Sequence, residues 1–156
     1  MANPNAQIAV NQIGLGGVLK QFRLVVPPNQ REYSWEEEVT TLFQDITKAI
    51  LDGEGEYFLG TVVTIPRTPE LLEIVDGQQR LATTVILLAE IRNYLLGRED
   101  IIAESIINDF LTVIDRAKRE RVVKLQMNSA DNEYLDRKST RLNSSHSRAS
   151  RMPSSA

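Results

Sequence analysis

Residues Leu71 to Leu95 read LLEIVDGQQRLATTVILLAEIRNYL, and this stretch contains the pattern that decides the fold. Its first five residues form a short apolar run, which is typical of a buried strand. From Leu81 onward apolar residues recur at helical spacing to Leu96, and Gly97 is a typical helix end. The stretch therefore predicts a strand and a long helix joined by the segment DGQQR.

The joining segment, Asp76-Gly77-Gln78-Gln79-Arg80, combines groups that suit phosphate chemistry. Backbone N–H groups at a helix start lack partners, and the helix dipole favours anions there. The carboxylate of Asp76 can hold a hydrated Mg²⁺, and the guanidinium of Arg80 can clamp a phosphate. Gly77 would let the backbone approach the phosphates closely. A nucleotide site is the natural interpretation.

Each side chain of the segment has an expected role. Asp76 would bind Mg²⁺ directly or orient an attacking water, and Arg80 would neutralise charge on the transferring phosphoryl group. Either Gln78 or Gln79 would position the water, since a neutral amide can orient a nucleophile but is a poor base. Structurally, the segment could instead be a common turn in which Arg80 pairs with Asp76. The chain has no GxxxxGK[ST] loop, which excludes a P-loop enzyme.

A second polar cluster, Gln30, Arg31, Tyr33 and Trp35, precedes a predicted helix. A glutamine and an arginine side by side, followed by aromatic residues, can read a base or clamp a phosphate. Trp35 would anchor the loop, or it packs against the following helix. Arg31 would contact the ligand, or it pairs with one of the glutamates that follow Trp35.

The remaining elements predict a mixed α+β domain. A capping box of Ser34 and Glu37 predicts a helix that ends at Asp52-Gly53. Residues 57–65 are rich in β-branched and aromatic side chains and predict a central strand, with a turn at 66–69 before the strand that delivers Asp76. Further predictions are an edge strand around residues 8–10, helices at 13–20 and 101–113, and strands at 22–26 and 122–127.

Composition excludes several chemistries. The chain has no cysteine, which fits a cytoplasmic location, and its single histidine is His146. Serine or cysteine triads and Cys/His zinc sites are therefore excluded from residues 1–135. No apolar run is long enough to span a bilayer, and no secretory pattern opens the chain, so no membrane partner is expected.

The last 21 residues, DRKSTRLNSSHSRASRMPSSA, have no apolar periodicity. Residues 136–146 match the conceptual translation of a common sequencing-library adapter, so we interpret 136–156 as an adapter-derived, disordered artefact rather than a natural basic tail. The tail carries five basic residues and one acidic residue, which leaves 13 basic and 20 acidic residues in the first 135. Such an acidic domain is not a generic polyanion binder, and the basic run at 116–124 is interpreted as a solvated turn.

Three segments occur in the order and spacing of one protein family. They are PPNQREYSW at 27–35, YFLGTVV at 57–63 and VDGQQRLATT at 75–84. With them, residues 13–134 resemble the N-terminal domain of GmrSD-type modification-dependent restriction enzymes. The resemblance implies a ParB/sulfiredoxin-like fold, a small mixed sheet flanked by helices. It also implies binding and hydrolysis of a nucleoside triphosphate, tied in some relatives to cleavage of modified or phosphorothioated phage DNA.

The resemblance also implies residue roles. Asp76, Gln78, Gln79 and Arg80 fall on the nucleotide-hydrolysis motif of the family. Gln30 and Arg31 fall on a QR motif that in some relatives takes part in sensing the DNA modification, and Tyr33 follows it. Many relatives add a helical region and a C-terminal His-Asn-His nuclease domain, so we expect those to be missing partners of this chain.

The predicted organisation is a frayed N-terminus at 1–12, a single incomplete nucleotide-binding domain at 13–135, and the adapter-derived segment at 136–156. Three functions remain open. The domain hydrolyses nucleoside triphosphates to control an antiphage restriction system, it senses nucleotide or DNA without turnover, or it is an inactive fragment.

Overall fold

A computed structural model describes residues 9–115 and 117–128, and it confirms the predicted α+β class. The helices are α1 (Leu15–Gln21), α2 (Glu37–Leu51), α3 (Gln78–Leu95) and α4 (Asp100–Ile106), with a π-helical turn at Ile107–Leu111. The strands are β1 (Arg23–Val25), β2 (Val63–Thr68), β3 (Leu71–Asp76), β4 (Thr112–Asp115), β5 (Glu120–Val123) and β6 (Leu125–Gln126). The predicted segments at residues 1–8 and 136–156 lie outside the described residues, and Val10 is in no strand.

The main sheet has the strand order β2-β3-β1-β6. Strand β1 is parallel to both β3 and β6, and β2 is antiparallel to β3. The registers Leu24↔Leu72 and Leu24↔Leu125 place these leucines on one face of the sheet. On that face, Leu24, Leu125 and Ile74 join the buried core with residues of α3. Each such side chain contributes about 1.5–3 kcal/mol when it is fully buried.

The central strand predicted at residues 57–65 is confirmed only in part: residues 63–65 form a strand that pairs with β3 as predicted, but this strand is not central. Residues 57–62 form no strand, and β2 begins at Val63 and lies at the edge of the sheet. The strand also includes Pro66, where a turn was predicted; a proline is tolerated on an edge strand because its missing N–H faces no neighbour. Residues 60–62 instead pack against the start of α3, as described below.

Two predicted helix boundaries are wrong. No side chain caps α2, which begins at Glu37, so the predicted capping box does not form. The predicted helix at 101–113 ends early, because Thr112 and Val113 pair with β5 in a hairpin. β-branched residues favour such a strand once a partner is present.

The predicted strand at 122–127 divides at Lys124 between β5 and β6. The solvated turn predicted at 116–124 is confirmed only for residues 117–119, because residues 120–123 form β5 and Lys124 is buried. Its ammonium donates hydrogen bonds to the carbonyls of Leu19 at 2.6 Å, Asp109 at 2.7 Å and Lys20 at 3.4 Å. Burial lowers the pKa of Lys124, and the nearby Asp109 opposes that shift. This lysine ties the end of α1 to the π-helical turn.

No helix among residues 9–115 and 117–128 has both the length and the apolar character needed to cross a membrane.

We predict that Lys124→Met destabilises the fold by about 1–3 kcal/mol, because the buried carbonyls lose their donor. Thermal melts of the variant measure this effect. Lys118→Met is the matched control, since Lys118 lies in the exposed turn. Equal melting temperatures for the two variants would contradict the role of Lys124.

Candidate functional site

The junction between β3 and α3 depends on a glycine in the left-handed region. Gly77 has φ of 91° and is buried. A Cβ atom on Gly77 would lie 3.0 Å from Val62 Cγ2 and 3.2 Å from the Thr61 carbonyl oxygen. The turn and the packing of residues 61–62 therefore both require glycine here. The helix starts three residues earlier than predicted, so Gln78, Gln79 and Arg80 form its first turn.

The N-terminus of α3 has no side-chain cap among residues 9–115 and 117–128, and its first turn contains no acidic residue. The helix has 18 residues, so its dipole is fully developed, and Asp76 is exposed just before it. Such a helix end attracts an anion, because unpaired N–H groups and the dipole act together.

The first turn of α3 holds the loop at residues 30–34 through two buried glutamines. The Gln78 side-chain amide donates to the Arg31 carbonyl at 2.8 Å, and that of Gln79 donates to the Glu32 carbonyl at 3.1 Å. The backbone N–H of Ser34 donates to Gln79 Oε1 at 3.0 Å. We call these three hydrogen bonds the glutamine clamp. Ser34, which the sequence predicted as the cap of a helix, thus contributes its backbone N–H to the clamp.

Further contacts join the same two segments. The Gln30 side chain donates to the Val75 carbonyl at 3.0 Å. The hydroxyls of Tyr33 and Thr83 lie 2.8 Å apart, and Thr83 donates its one proton to the Gln79 carbonyl at 2.9 Å. Tyr33 is therefore the donor to Thr83. The structure thus brings together the two polar clusters that the sequence identified separately.

The clamp separates the roles of the two glutamines. Both ends of the Gln79 amide are used by the loop. Gln78 Oε1 is buried and has no hydrogen-bond partner among the described residues. A buried acceptor without a donor costs about 1–3 kcal/mol. Gln78 Oε1 is therefore an atom that can accept a hydrogen bond from a water molecule or a ligand. Of the two glutamines, Gln78 alone retains an unused acceptor.

The guanidinium of Arg80 lies against Gly60, and Gly60 belongs to the segment YFLGTVV. A Cβ atom on Gly60, where φ is 108°, would collide with Arg80 Nη1 and lie 3.2 Å from Arg80 Cζ. Sequence reasoning missed Gly60; the signal was a glycine inside an otherwise β-branched and aromatic run. Among residues 9–115 and 117–128, neither Arg80 nor Arg31 forms an ion pair. The alternatives in which Arg80 pairs with Asp76, or Arg31 with a following glutamate, are therefore wrong.

Asn128 is a second residue that the sequence did not indicate. It is buried, and its side-chain amide lies 3.4 Å from the carbonyl oxygens of both Gln30 and Arg31. It supports the loop from the side of β6. Trp35, the suggested anchor, is half-buried.

The junction offers a limited donor set for a metal. The described part of the chain contains no cluster of three or more His, Cys, Asp or Glu residues suited to a metal ion. Asp76 supplies one exposed carboxylate. This fits Mg²⁺ that arrives with a polyphosphate, because Mg²⁺ is often bound by one or two carboxylates plus substrate phosphates.

The family model for the GmrSD restriction endonuclease, N-terminal domain, matches residues 11–152. The chain therefore belongs to this family, as its motifs had indicated. The match extends past residue 135 into the segment that resembles adapter translation. No curated protein matches the chain.

We predict that Gln79→Glu destabilises the fold by about 1–3 kcal/mol, because a carboxylate oxygen would replace the donor that faces the Glu32 carbonyl. Hydrogen exchange at residues 30–34 should rise with it. Gln44→Glu is the control, as Gln44 is exposed on α2. Unchanged exchange in the loop would show that the clamp does not hold it.

Gly60→Ala should destabilise the fold by about 1–3 kcal/mol, because an alanine is strained at the φ of 108° that Gly60 adopts. Gly55→Ala is the control, since Gly55 has open space around it and no positive φ. Denaturant unfolding of both variants measures the difference. Equal losses of stability in the two variants would show that the positive φ of Gly60 does not constrain the fold.

Proposed function

We propose that the β3–α3 junction binds a nucleoside triphosphate with Mg²⁺ and hydrolyses it, as the control domain of an antiphage modification-dependent DNA restriction system. The observation that carries this proposal is the N-terminus of α3, which lies between the exposed Asp76 and Arg80 and has neither a side-chain cap nor an ion pair at Arg80 among the described residues. This helix end and the two opposite charges match a metal-bound polyphosphate in charge and hydrogen bonding.

In this proposal each group of the junction has one task. The first-turn N–H groups of α3 bind phosphate oxygens, and Arg80 neutralises charge that develops during transfer. Asp76 is the residue that would hold Mg²⁺, which supplies charge neutralisation at the phosphates. Gln78 would orient the attacking water through Oε1, which is buried and has no hydrogen-bond partner among the described residues. Gln79 positions the loop and does not touch the nucleotide.

We propose that the loop at 30–34 contacts modified DNA. Arg31 is exposed, and its main chain is fixed by Gln78, so its guanidinium is presented from a rigid base. Gln30 and Tyr33 have partners at Val75 and Thr83 and serve first to shape the loop. Arg31 is thus the residue of this loop that we assign to DNA.

The partners in this proposal are a nucleotide, modified DNA and the nuclease part of the restriction enzyme. The described residues include no histidine, so a His-Asn-His centre would have to lie elsewhere. The family membership supports a link to a restriction nuclease that acts on DNA. We also propose a cytoplasmic location. For the fold we propose the ParB/sulfiredoxin-like type, since the main sheet is mixed, has four strands and lies beside helices.

A second candidate function is a sensor that binds nucleotide without turnover. It is favoured by the burial of both glutamines, since Gln79 is fully used and Gln78 Oε1 is shielded from solvent. Binding would then need only the helix end, Asp76 and Arg80. The two functions differ in whether phosphate is released.

Phosphate release from each ribonucleoside triphosphate with Mg²⁺ should fall by about 100-fold in Asp76→Ala and in Arg80→Ala, because each removes a charge that acts on the transferring group. Glu104→Ala and Arg121→Ala are matched controls, because both residues are exposed and neither belongs to the segment at 76–80. A cooperative melt verifies that each variant is folded.

Three outcomes separate the candidate functions. Equal rates with excess chelator would remove Asp76 from the mechanism. Heat of binding in calorimetry without phosphate release would support the sensor. No heat with any ribonucleotide and Mg²⁺ would overturn both, and an inactive fragment would remain.

A further inference from the structure

The guanidinium of Arg80 packs against main chain, whereas a carboxylate holds another arginine of the domain. Nη1, Cζ and Cδ of Arg80 all lie within 3.5 Å of the position that a Cβ atom on Gly60 would take. By contrast, Arg67 forms an ion pair with Glu73. Arg80 forms no ion pair among residues 9–115 and 117–128. Its contact with Gly60 therefore restricts the side chain and leaves the positive charge for a ligand.

Residues 60–62 pack against both ends of the segment DGQQR. At one end, a Cβ atom on Gly77 would lie 3.0 Å from Val62 Cγ2, and at the other end Gly60 lies against Arg80. The chain then continues directly into β2, which pairs with β3. Because the sheet on one side and the start of α3 on the other hold this stretch, it gives the guanidinium a fixed surface.

The start of α3 carries a separate indication of a ligand. The Gln78 side chain belongs to a residue that is only 5% exposed, and its Oε1 has no hydrogen-bond partner among the described residues. Gln78 and Arg80 both belong to the first turn of α3. The unused acceptor and the guanidinium thus adjoin the same helix end, where an anion is favoured.

We propose that Gly60 is a positioning residue, which fixes the guanidinium of Arg80 beside the phosphate-binding end of α3. This inference rests on the nucleotide site proposed above and adds the residue that orders its cation. An arginine that is ordered before binding loses less conformational freedom when the phosphate arrives. A Cβ atom at position 60 would take the space of the guanidinium and displace it. Glycine is therefore required here for the ligand as well as for the fold.

The test separates the position of Arg80 from backbone strain at Gly60. Gly60→Ala adds a Cβ atom at a positive φ and displaces the guanidinium. Gly53→Ala is the matched control, because Gly53 also has a positive φ, of 70°, but open space around its Cβ position. Calorimetry of the whole chain measures the binding of inorganic tripolyphosphate with Mg²⁺. The affinity should fall about three- to tenfold in Gly60→Ala, as expected when one side chain must be ordered on binding, and stay unchanged in Gly53→Ala.

A double-mutant cycle assigns the loss to Arg80. In Arg80→Ala the added Cβ atom has no guanidinium to displace, so Gly60→Ala should change the remaining affinity by less than about twofold. Arg80→Lys is a second variant, which keeps glycine at position 60 and the positive charge but removes the planar group. It should also weaken tripolyphosphate binding. Arg98→Lys, at an exposed arginine outside the junction, should not.

Several outcomes would overturn the role of Gly60. Equal losses of affinity in Gly60→Ala and Gly53→Ala would assign the effect to backbone strain. Full affinity in Arg80→Lys would show that an ordered guanidinium is not needed. Binding that is lost in Arg80→Ala but unchanged in Gly60→Ala would overturn this inference and leave the nucleotide site in place. No binding of tripolyphosphate by the unsubstituted chain would overturn the nucleotide site and this inference with it.

Discussion

The glutamine clamp is the interaction on which the candidate site depends. A primary amide has a donor and an acceptor on one rigid plane, so Gln79 can hold the Glu32 carbonyl and the Ser34 N–H at the same time. A carboxylate lacks the donor, and an apolar side chain lacks both groups. The loop at 30–34 has no regular structure of its own, and it takes its shape from the first turn of α3. Two segments about 45 residues apart thereby become one surface.

The junction between β3 and α3 also contains polar groups that have no protein partner among the described residues. The end of α3 has no cap, Arg80 and Arg31 have no ion pair among the described residues, and Gln78 Oε1 has no donor there. The buried Gln78 Oε1 costs stability, and the helix end and the two arginines concentrate anion-binding capacity at one place. Glycines at 60 and 77 make the crowding possible, because a Cβ atom at either would meet Arg80 or Val62. This combination is the physical basis of the function that we propose for this member of the GmrSD N-terminal family.

The sequence by itself determined the elements whose signals are local. The strand at 71–75, the long helix after it and the turn glycine follow from periodicity and turn chemistry, and the motifs were sufficient to indicate the family. Tertiary structure decided the rest, because it depends on contacts between distant residues. Residues 57–62 have strand-like composition but form no strand, and residues 60–62 pack on the junction. Residues 112–113 continue a helical pattern in the sequence but pair with β5 in a hairpin. Ser34 donates its N–H to Gln79 instead of capping α2. Which glutamine keeps a free acceptor was also undecidable from the sequence, since Gln78 and Gln79 are chemically identical and only the position of the loop distinguishes them.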